Sequence, residues 1–160
     1  MKTIDLVKLT NAATLAAEQV ASLLSVSLSK VYIGGSLALV LQDVINRDVH
    51  DIDIIVKTTS IKAHSAILTA HNALRGTAMP YNPSCEKYSY IVGIIHIEGM
   101  QYPINVILDN SSDYFTRERV GKVQLQHPTM IKYAKMSYKP QRVKDIADIN
   151  AIIEWENKQK

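Results

Sequence analysis

The stretch Val31 to Val56, VYIGGSLALVLQDVINRDVHDIDIIV, decides how this chain folds. It begins with the apolar run Val31-Tyr32-Ile33 and continues with the glycine turn Gly34-Gly35-Ser36. Apolar residues three or four apart then predict a helix from Leu37 to Ile45. After a polar break, the stretch ends in Asp51-Ile52-Asp53 and a wholly apolar run. The predicted order is therefore strand, turn, helix, break and strand.

The two ends of this stretch carry different chemistry. A Gly-Gly turn lets the backbone approach a ligand because no Cβ is in the way, the N–H groups of a following helix favour an anion, and Ser36 adds a hydroxyl. On a strand, Asp51 and Asp53 would face the same side. Two adjacent carboxylates repel each other unless a cation lies between them. A phosphate cradle beside a divalent-metal site is suited to a nucleoside triphosphate.

The order and spacing of these residues resemble the signature of the nucleotidyltransferase superfamily, which has the DNA polymerase β-like fold. Either half alone is more often a plain turn or a solvated strand face. The signature runs from an apolar residue through Gly-Gly or Gly-Ser and a short helix to Asp-apolar-Asp-apolar, and here it falls on Ile33 to Ser36 and Asp51 to Ile54. A second segment, Arg142 to Asp148 (RVKDIAD), resembles the ending of minimal, toxin-like members. Surface ion pairing on a helix is the alternative explanation of Asp145 and Asp148.

The resemblance implies a minimal nucleotidyltransferase that transfers a nucleoside monophosphate from a triphosphate (NTP) to an acceptor hydroxyl and releases pyrophosphate. Asp51 and Asp53 would then hold one or two Mg²⁺ or Mn²⁺ ions. The residues that would bind phosphate are Gly34, Gly35, Ser36 and either Lys132 or Lys135. The acceptor remains open between RNA such as transfer RNA, a protein and a small molecule, and so does the preferred base.

One position departs from the pattern of this superfamily. A third carboxylate normally lies on a later strand between apolar residues, and the matching residue here is Asn105, between Ile104 and Val106. An amide oxygen ligates a metal ion weakly and cannot act as a general base. The sequence leaves three possibilities: a site without a third carboxylate, a base supplied by His50, or a replacement by Asp109 from ~13 Å further along the strand.

Two kinds of protein other than an active enzyme are therefore compatible with the sequence. One is a catalytically impaired member of the same fold, acting as a nucleotide-binding or antitoxin-like protein-interaction module. The other is a plain interaction domain without a nucleotide site. Binding of a triphosphate without release of pyrophosphate would indicate the first, and absence of binding would indicate the second.

Length and composition indicate one α/β (α+β) domain over residues 1–160, since the chain has 160 residues, 47% of them apolar, and a formal net charge of +3. We expect a small, mixed, twisted β-sheet with packed helices over residues 1–126 and C-terminal helices over 127–160. The single cysteine, Cys85, cannot form an internal disulfide, which suits the cytoplasm. No apolar run is long enough to cross a bilayer, so we expect no membrane partner.

Apolar spacing also predicts the elements around the central motif. Helices are expected over residues 3–27, 61–75, 129–138 and 142–155. Their expected inward residues include Leu15, Leu23, Ile61, Ile146 and Ile153. Residues 87–97 and 101–108 should form a hairpin around Glu98-Gly99, and residues 122–126 should form an edge strand.

Overall fold

The computed structural model describes residues 3–58, 60–74, 89–109 and 118–160 and has a mixed α/β fold, which confirms the expected fold class. Its strands are β1 (Val31–Gly34), β2 (Ile52–Val56), β3 (Ser89–Ile97), β4 (Met100–Leu108), β5 (Arg119–Val120) and β6 (Val123–Leu125). Its helices are α1 (Thr3–Leu24), α2 (Gly35–Leu41), α3 (Ile61–Leu74), α4 (Pro128–Met136) and α5 (Val143–Lys158). Over these described ranges, no helix combines the length and the apolar character needed to cross a membrane.

The strands form one mixed, six-stranded sheet in the order β3-β4-β2-β1-β6-β5. β1 and β2 are antiparallel, whereas β4 lies parallel to β2 on one side and β6 lies parallel to β1 on the other. β3 and β4 form the predicted hairpin, whose turn residues Glu98 and Gly99 have φ values of 51° and 81°. The central motif therefore occupies the two middle strands, where other elements surround it.

Residues 122–126 do not form the predicted edge strand. β6 lies between β1 and β5, and the outermost strand is the two-residue β5. Gly121, with φ of 58°, lies between the two strands, and Val120 pairs with Val123. A strand of two residues is too short to give an alternating pattern, which is why the sequence did not reveal it.

The main core lies on the face of the sheet that α1 and α3 cover. Ile52, Ile54 and Val56 of β2 point into this core, because alternate residues of a strand share a face. The buried residues of α1 are Leu9, Ala13, Ala16, Ala17, Val20, Ala21 and Leu24. The many alanines on this side of α1 let the helix lie close to the sheet.

Several predicted helix details differ from the structure. Leu15 and Leu23 are exposed rather than inward, because the alanine-rich side of α1 faces the sheet. Ile61 is 84% exposed, since it is the first residue of α3 and precedes the inward Ala63 and Ile67. The helix α2 ends at Leu41 rather than Ile45, and the chain then turns.

Among the described residues, those of α4 cover part of the opposite face of the sheet. Met130 of α4 packs there against Tyr32 and Ile55, which are both buried. A second small cluster joins α2, α4 and α5, and its buried residues are Ala38, Leu39, Ile131 and Ile152. These contacts hold α4 and α5 over one end of the face and leave a cleft beside them.

The first turns of α5 are buried through charged rather than apolar residues. Asp145 and Asp148 are 0% and 2% exposed, whereas Ile146 and Ile153, which we expected in the core, are exposed. Lys135 of α4 is also buried, and its Nζ lies 3.2 Å from Asp145 and 3.1 Å from Asp148. The prediction is wrong because charges that pair across two helices leave no signal in the spacing of apolar residues.

Two arginines extend these contacts into what we call the ionic chain, Arg47–Asp148–Lys135–Asp145–Arg142. Arg142 donates from Nε to Oδ2 of Asp145 at 2.8 Å, and Arg47 donates from Nε and Nη2 to the two oxygens of Asp148 at 3.1 and 2.5 Å. Burial opposes ionisation of Asp145, but the hydrogen bond from Arg142 and the charge of Lys135 outweigh it and hold the pKa of Asp145 at about 2. The ionic chain joins the segment after α2 to both C-terminal helices.

We expect Asp145→Asn to lower the free energy of unfolding by about 3 kcal/mol, because it leaves a buried positive charge undercompensated. Glu154→Gln is the control on the same helix, since Glu154 is exposed and lies 3.7 Å from the exposed Lys158. This control should change stability by less than about 0.5 kcal/mol. Urea unfolding at pH 7 measures both, and equal effects would show that the ionic chain is worth no more than a surface pair.

The same variant should respond to pH in a defined direction. The pKa of Asp145 is about 2 in the folded protein, below its ordinary value of 3.8. A carboxyl whose pKa is lowered by folding stabilises the protein above the ordinary pKa and loses that contribution as the pH falls through the folded value. The stability difference between the wild-type protein and Asp145→Asn should therefore shrink between about pH 4 and pH 2.

Candidate functional site

The antiparallel pairing of β1 and β2 brings the glycine turn against the second aspartate. Gly34 lies opposite Asp53 in the register, and Gly35 follows with φ of +60°. A Cβ on Gly35 would collide with the carboxylate of Asp53. Glycine is therefore required here for two reasons, the left-handed backbone and the close approach to a carboxylate.

Asn105 lies beside the aspartates, as its match to the third-carboxylate position of the nucleotidyltransferase superfamily predicts. The parallel register of β2 and β4 places Asn105 opposite Asp53. Its Nδ2 donates to Oδ2 of Asp51 and to Oδ1 of Asp53, both at 3.2 Å. Asp51 precedes β2 instead of lying on it, yet it lines the same cleft. The structure thus brings Asn105 together with the two aspartates that were expected to hold a metal ion.

Asp109 and His50 occupy other places. Asp109 follows the end of β4, four residues beyond Asn105, and lines the far part of the cleft. Four residues of strand correspond to ~13 Å, so Asp109 does not take the position of Asn105. His50 is exposed and is not among the residues that line the cleft. The position of a third carboxylate is therefore filled by an amide.

Burial and the neighbouring charge of Asp51 disfavour ionisation of Asp53. Burial, followed by the negative charge of Asp51, raises the pKa of Asp53 to about 7, although the hydrogen bond from Asn105 acts in the opposite direction. A positive charge placed between the two carboxylates would remove this repulsion and favour their ionised forms. The pair is thus suited to a cation.

The donor set fits a hard divalent cation, but only with help from a ligand. In the described ranges, no three His, Cys, Asp or Glu side chains come together as a potential metal site. Asp51 and Asp53 supply carboxylate oxygens, and Asn105 could supply an amide oxygen after a half-turn of its amide. Mg²⁺ and Mn²⁺ prefer such oxygen donors, and Mg²⁺ is commonly held by one or two carboxylates plus phosphate oxygens. The residues therefore fit a cation site that phosphate completes.

Of the two lysines expected to bind phosphate, only Lys135 lines the cleft. Lys135 is buried, and both of its carboxylate partners belong to the ionic chain. Lys132 forms an ion pair with Glu156 at 2.7 Å and is not among the residues that line the cleft. The sequence left Lys132 and Lys135 as alternatives, and of the two it is Lys135 that lines the cleft.

Lys144 is a cation of the cleft that the sequence reasoning missed. It is exposed, lines the cleft and interacts electrostatically with Asp51. Lys135 and Arg142, which also line the cleft, are paired with carboxylates, whereas Lys144 makes no hydrogen bond or ion pair within the described residues. In the sequence, Lys144 was indicated by its position within the segment Arg142 to Asp148. Lys144 is the cation best placed to meet an anionic ligand.

Two further polar residues hold the glycine turn. Arg47, a member of the ionic chain, donates from Nη2 to Oγ of Ser36 at 2.8 Å, so the hydroxyl hydrogen of Ser36 remains available to a ligand oxygen. Gln126 is buried, and its Oε1 accepts a hydrogen bond from the N–H of Gly35 at 3.4 Å. Neither residue belongs to a recognisable motif, so spacing alone could not have identified them.

The cleft has a volume of about 220 Å³, and its lining contains two chemically different groups of side chains, which we call its polar half and its apolar half. Its polar half includes Ser36, Asp51, Asp53, Asn105, Lys135, Arg142 and Lys144. Its apolar half includes Ile55, Ile107, Met130 and Tyr133. A ligand that fills the cleft would therefore have an anionic end and a less polar end.

We expect Gly35→Ala to lower the free energy of unfolding by about 2–5 kcal/mol, because the strain of the left-handed backbone adds to the overlap with Asp53. Gly121→Ala is the matched control, since Gly121 also has positive φ but a Cβ there would meet nothing within 4 Å. This control should cost only the backbone strain, about 1–2 kcal/mol. Thermal or urea unfolding compares the two, and an equal loss would contradict the close contact at Gly35.

The chain matches no family model, no curated protein and no solved structure. Its resemblance to the nucleotidyltransferase superfamily thus has the sequence motifs as its basis. The motifs, together with the side chains that the fold brings into the cleft, indicate which ligands the cleft could bind.

Proposed function

We propose that this protein binds an NTP with a divalent cation and transfers the nucleoside monophosphate to an acceptor hydroxyl. The observation that carries the proposal is the meeting of Asp51, Asp53 and the glycine turn at Gly35 in one cleft. Paired carboxylates beside a backbone turn that admits no Cβ form a site for a cation and phosphate together. The order of these residues in the sequence resembles the nucleotidyltransferase signature, which supports the same reaction.

The residues of the polar half have distinct roles in this proposal. Asp51 and Asp53 hold Mg²⁺ or Mn²⁺, which when bound would offset phosphate charge and favour the attacking hydroxyl in its ionised form. The hydroxyl of Ser36 donates to a phosphate oxygen, and the backbone at Gly34 and Gly35 admits the phosphate chain. Lys144 neutralises phosphate charge from the other side of the cleft. Arg47 and Gln126 hold the turn in place.

Binding without turnover is the second candidate, and Asn105 favours it. The amide takes the place beside Asp53 where the resemblance leads us to expect a carboxylate. The site then has one negative charge fewer for a cation, and the amide cannot accept the proton of an acceptor hydroxyl as a carboxylate would. A nucleotide-binding or protein-interaction module would need the cleft but not that group.

Calorimetric titration of the protein with ATP and the other common triphosphates in the presence of Mg²⁺ tests the proposal. The wild-type protein should bind, and removal of Mg²⁺ with EDTA should abolish binding. Asp51→Asn combined with Asp53→Asn should do the same, because two neutral amides hold the cation far more weakly. Lys144→Met should weaken binding about 10- to 150-fold, since a hydrogen bond to a charged group contributes roughly 1.5–3 kcal/mol.

Lys158→Met is the control for the lysine variant, because Lys158 lies at the opposite end of the same helix and is exposed. It should bind like the wild-type protein. Absence of binding by the wild-type protein to every triphosphate would contradict the proposal, and so would full affinity in the double aspartate variant.

Asn105→Asp separates an enzyme from a binding module. A restored carboxylate should tighten Mg²⁺ binding and raise the rate of pyrophosphate release from an NTP with total RNA or lysate as the source of acceptor. Asn150→Asp adds the same charge at an exposed position of α5 and should change neither quantity. Pyrophosphate release by the wild-type protein supports the transferase. Release by Asn105→Asp alone supports the binding module.

A further inference from the structure

We propose that the apolar half of the cleft, Ile55, Ile107, Met130 and Tyr133, is a binding site for the planar base of the nucleotide. This inference rests on the proposed function, because the polar half must first fix the phosphates. Binding of the base in this half of the cleft would select a nucleotide over other phosphate compounds. We call these residues the base subsite.

The base subsite lies one step along the strands from the aspartates. Asp53 and Ile55 share one face of β2, and Asn105 and Ile107 share the same face of β4, since residues two apart point to one side. The parallel register places Ile55 opposite Ile107, just as it places Asp53 opposite Asn105. A polar row is therefore followed directly by an apolar row, ~7 Å away along the sheet.

Much of this apolar surface remains open to the cleft. Ile55 is buried against Tyr32, but Ile107 and Met130 are only half-buried. Tyr133 is 56% exposed. Apolar side chains that face a cleft beside charged groups gain free energy when a flat apolar group covers them. The floor of the subsite is thus aliphatic, and an aromatic residue borders it.

Neighbouring contacts restrict the position of the Tyr133 ring. Nζ of Lys132 lies 5.2 Å from the ring centroid, within the range of a cation–π contact. Lys132 is itself held by Glu156 at 2.7 Å, and the hydroxyl of Thr129 donates to the same carboxylate at 2.7 Å. A ring that is already positioned loses less freedom when a base stacks on it.

The charges of the cleft determine which end of a nucleotide lies here. The cation site and Lys144 draw the phosphates to the polar half, so the group attached to the α-phosphate extends over Ile55 and Ile107. In an NTP this group is ribose followed by the base. Ser89, which pairs with Ile107 in the register, and Asp109, two residues beyond Ile107, also line the cleft and place polar groups beside this apolar row.

Calorimetric titrations with inorganic triphosphate and with ATP, both with Mg²⁺, separate the base subsite from the phosphate site. The wild-type protein should bind ATP at least about tenfold more tightly than inorganic triphosphate, because base stacking adds to the affinity. Tyr133→Ala should weaken ATP binding about 5- to 150-fold, the range seen when a stacking aromatic is removed. The same variant should bind inorganic triphosphate like the wild-type protein.

Met136→Ala is the matched control, because Met136 lies on the same helix, is 54% exposed and is not among the residues that line the cleft. It should leave both affinities unchanged. Ile107→Ala, checked for an intact fold by circular dichroism, should weaken ATP binding selectively, as Tyr133→Ala does.

Three results would overturn the base subsite. Equal affinity for ATP and inorganic triphosphate would leave the proposed function standing but would give the apolar half another role, such as binding the acceptor. Equal loss of both ligands in Tyr133→Ala would show that Tyr133 acts on the phosphate end or on the fold. Absence of binding of either ligand would overturn both the subsite and the proposed function.

Discussion

The approach of the Asp53 carboxylate to a backbone turn is the constraint on which the rest of the structure depends. Gly34 pairs with Asp53 across the two central strands, and Gly35 lies so close to the Asp53 carboxylate that a single added methyl group would overlap it. Burial and the charge of Asp51 raise the pKa of Asp53 to about 7. A fold that accepts such crowding must offset it with positive charge or hydrogen-bond donors, and both are found around the cleft.

The ionic chain supports the side of the cleft that α4 and α5 form. Arg47 joins Ser36 of the glycine turn to Asp148 of α5, and Lys135 links Asp148 to Asp145. These carboxylates neutralise cations that line or border the cleft and fix the position of α4 and α5 against the sheet. Because a buried charge that loses its partner is strongly destabilising, a different placement of the two helices would cost free energy. Lys144 lies beside this chain as an exposed cation that forms no ion pair with the residues that the structure describes.

The sequence predicted what depends on local pattern and missed what depends on contacts between distant residues. The strand–turn–helix–strand order and the hairpin at Glu98-Gly99 follow from alternation and turn chemistry, and the structure confirms them. The place of Asn105 was implied by the resemblance to the nucleotidyltransferase superfamily, and the strand register puts this residue opposite Asp53. The inward side of α5 could not be predicted, because Asp145 and Asp148 are buried only through partners on other elements. The roles of Arg47 and Lys144 likewise depend on which charges are paired in space.

Asn105 connects the stability of the site with its chemistry. Its amide donates to both aspartates at 3.2 Å, which eases their repulsion in the protein without a cation. A carboxylate at the same place would add a third negative charge and would make the folded protein depend more strongly on a bound cation. The amide therefore weakens binding of the cation but makes the stability of the folded protein less dependent on a bound cation. That combination is consistent with the proposed function, in which phosphate oxygens would supply the ligands that the protein lacks.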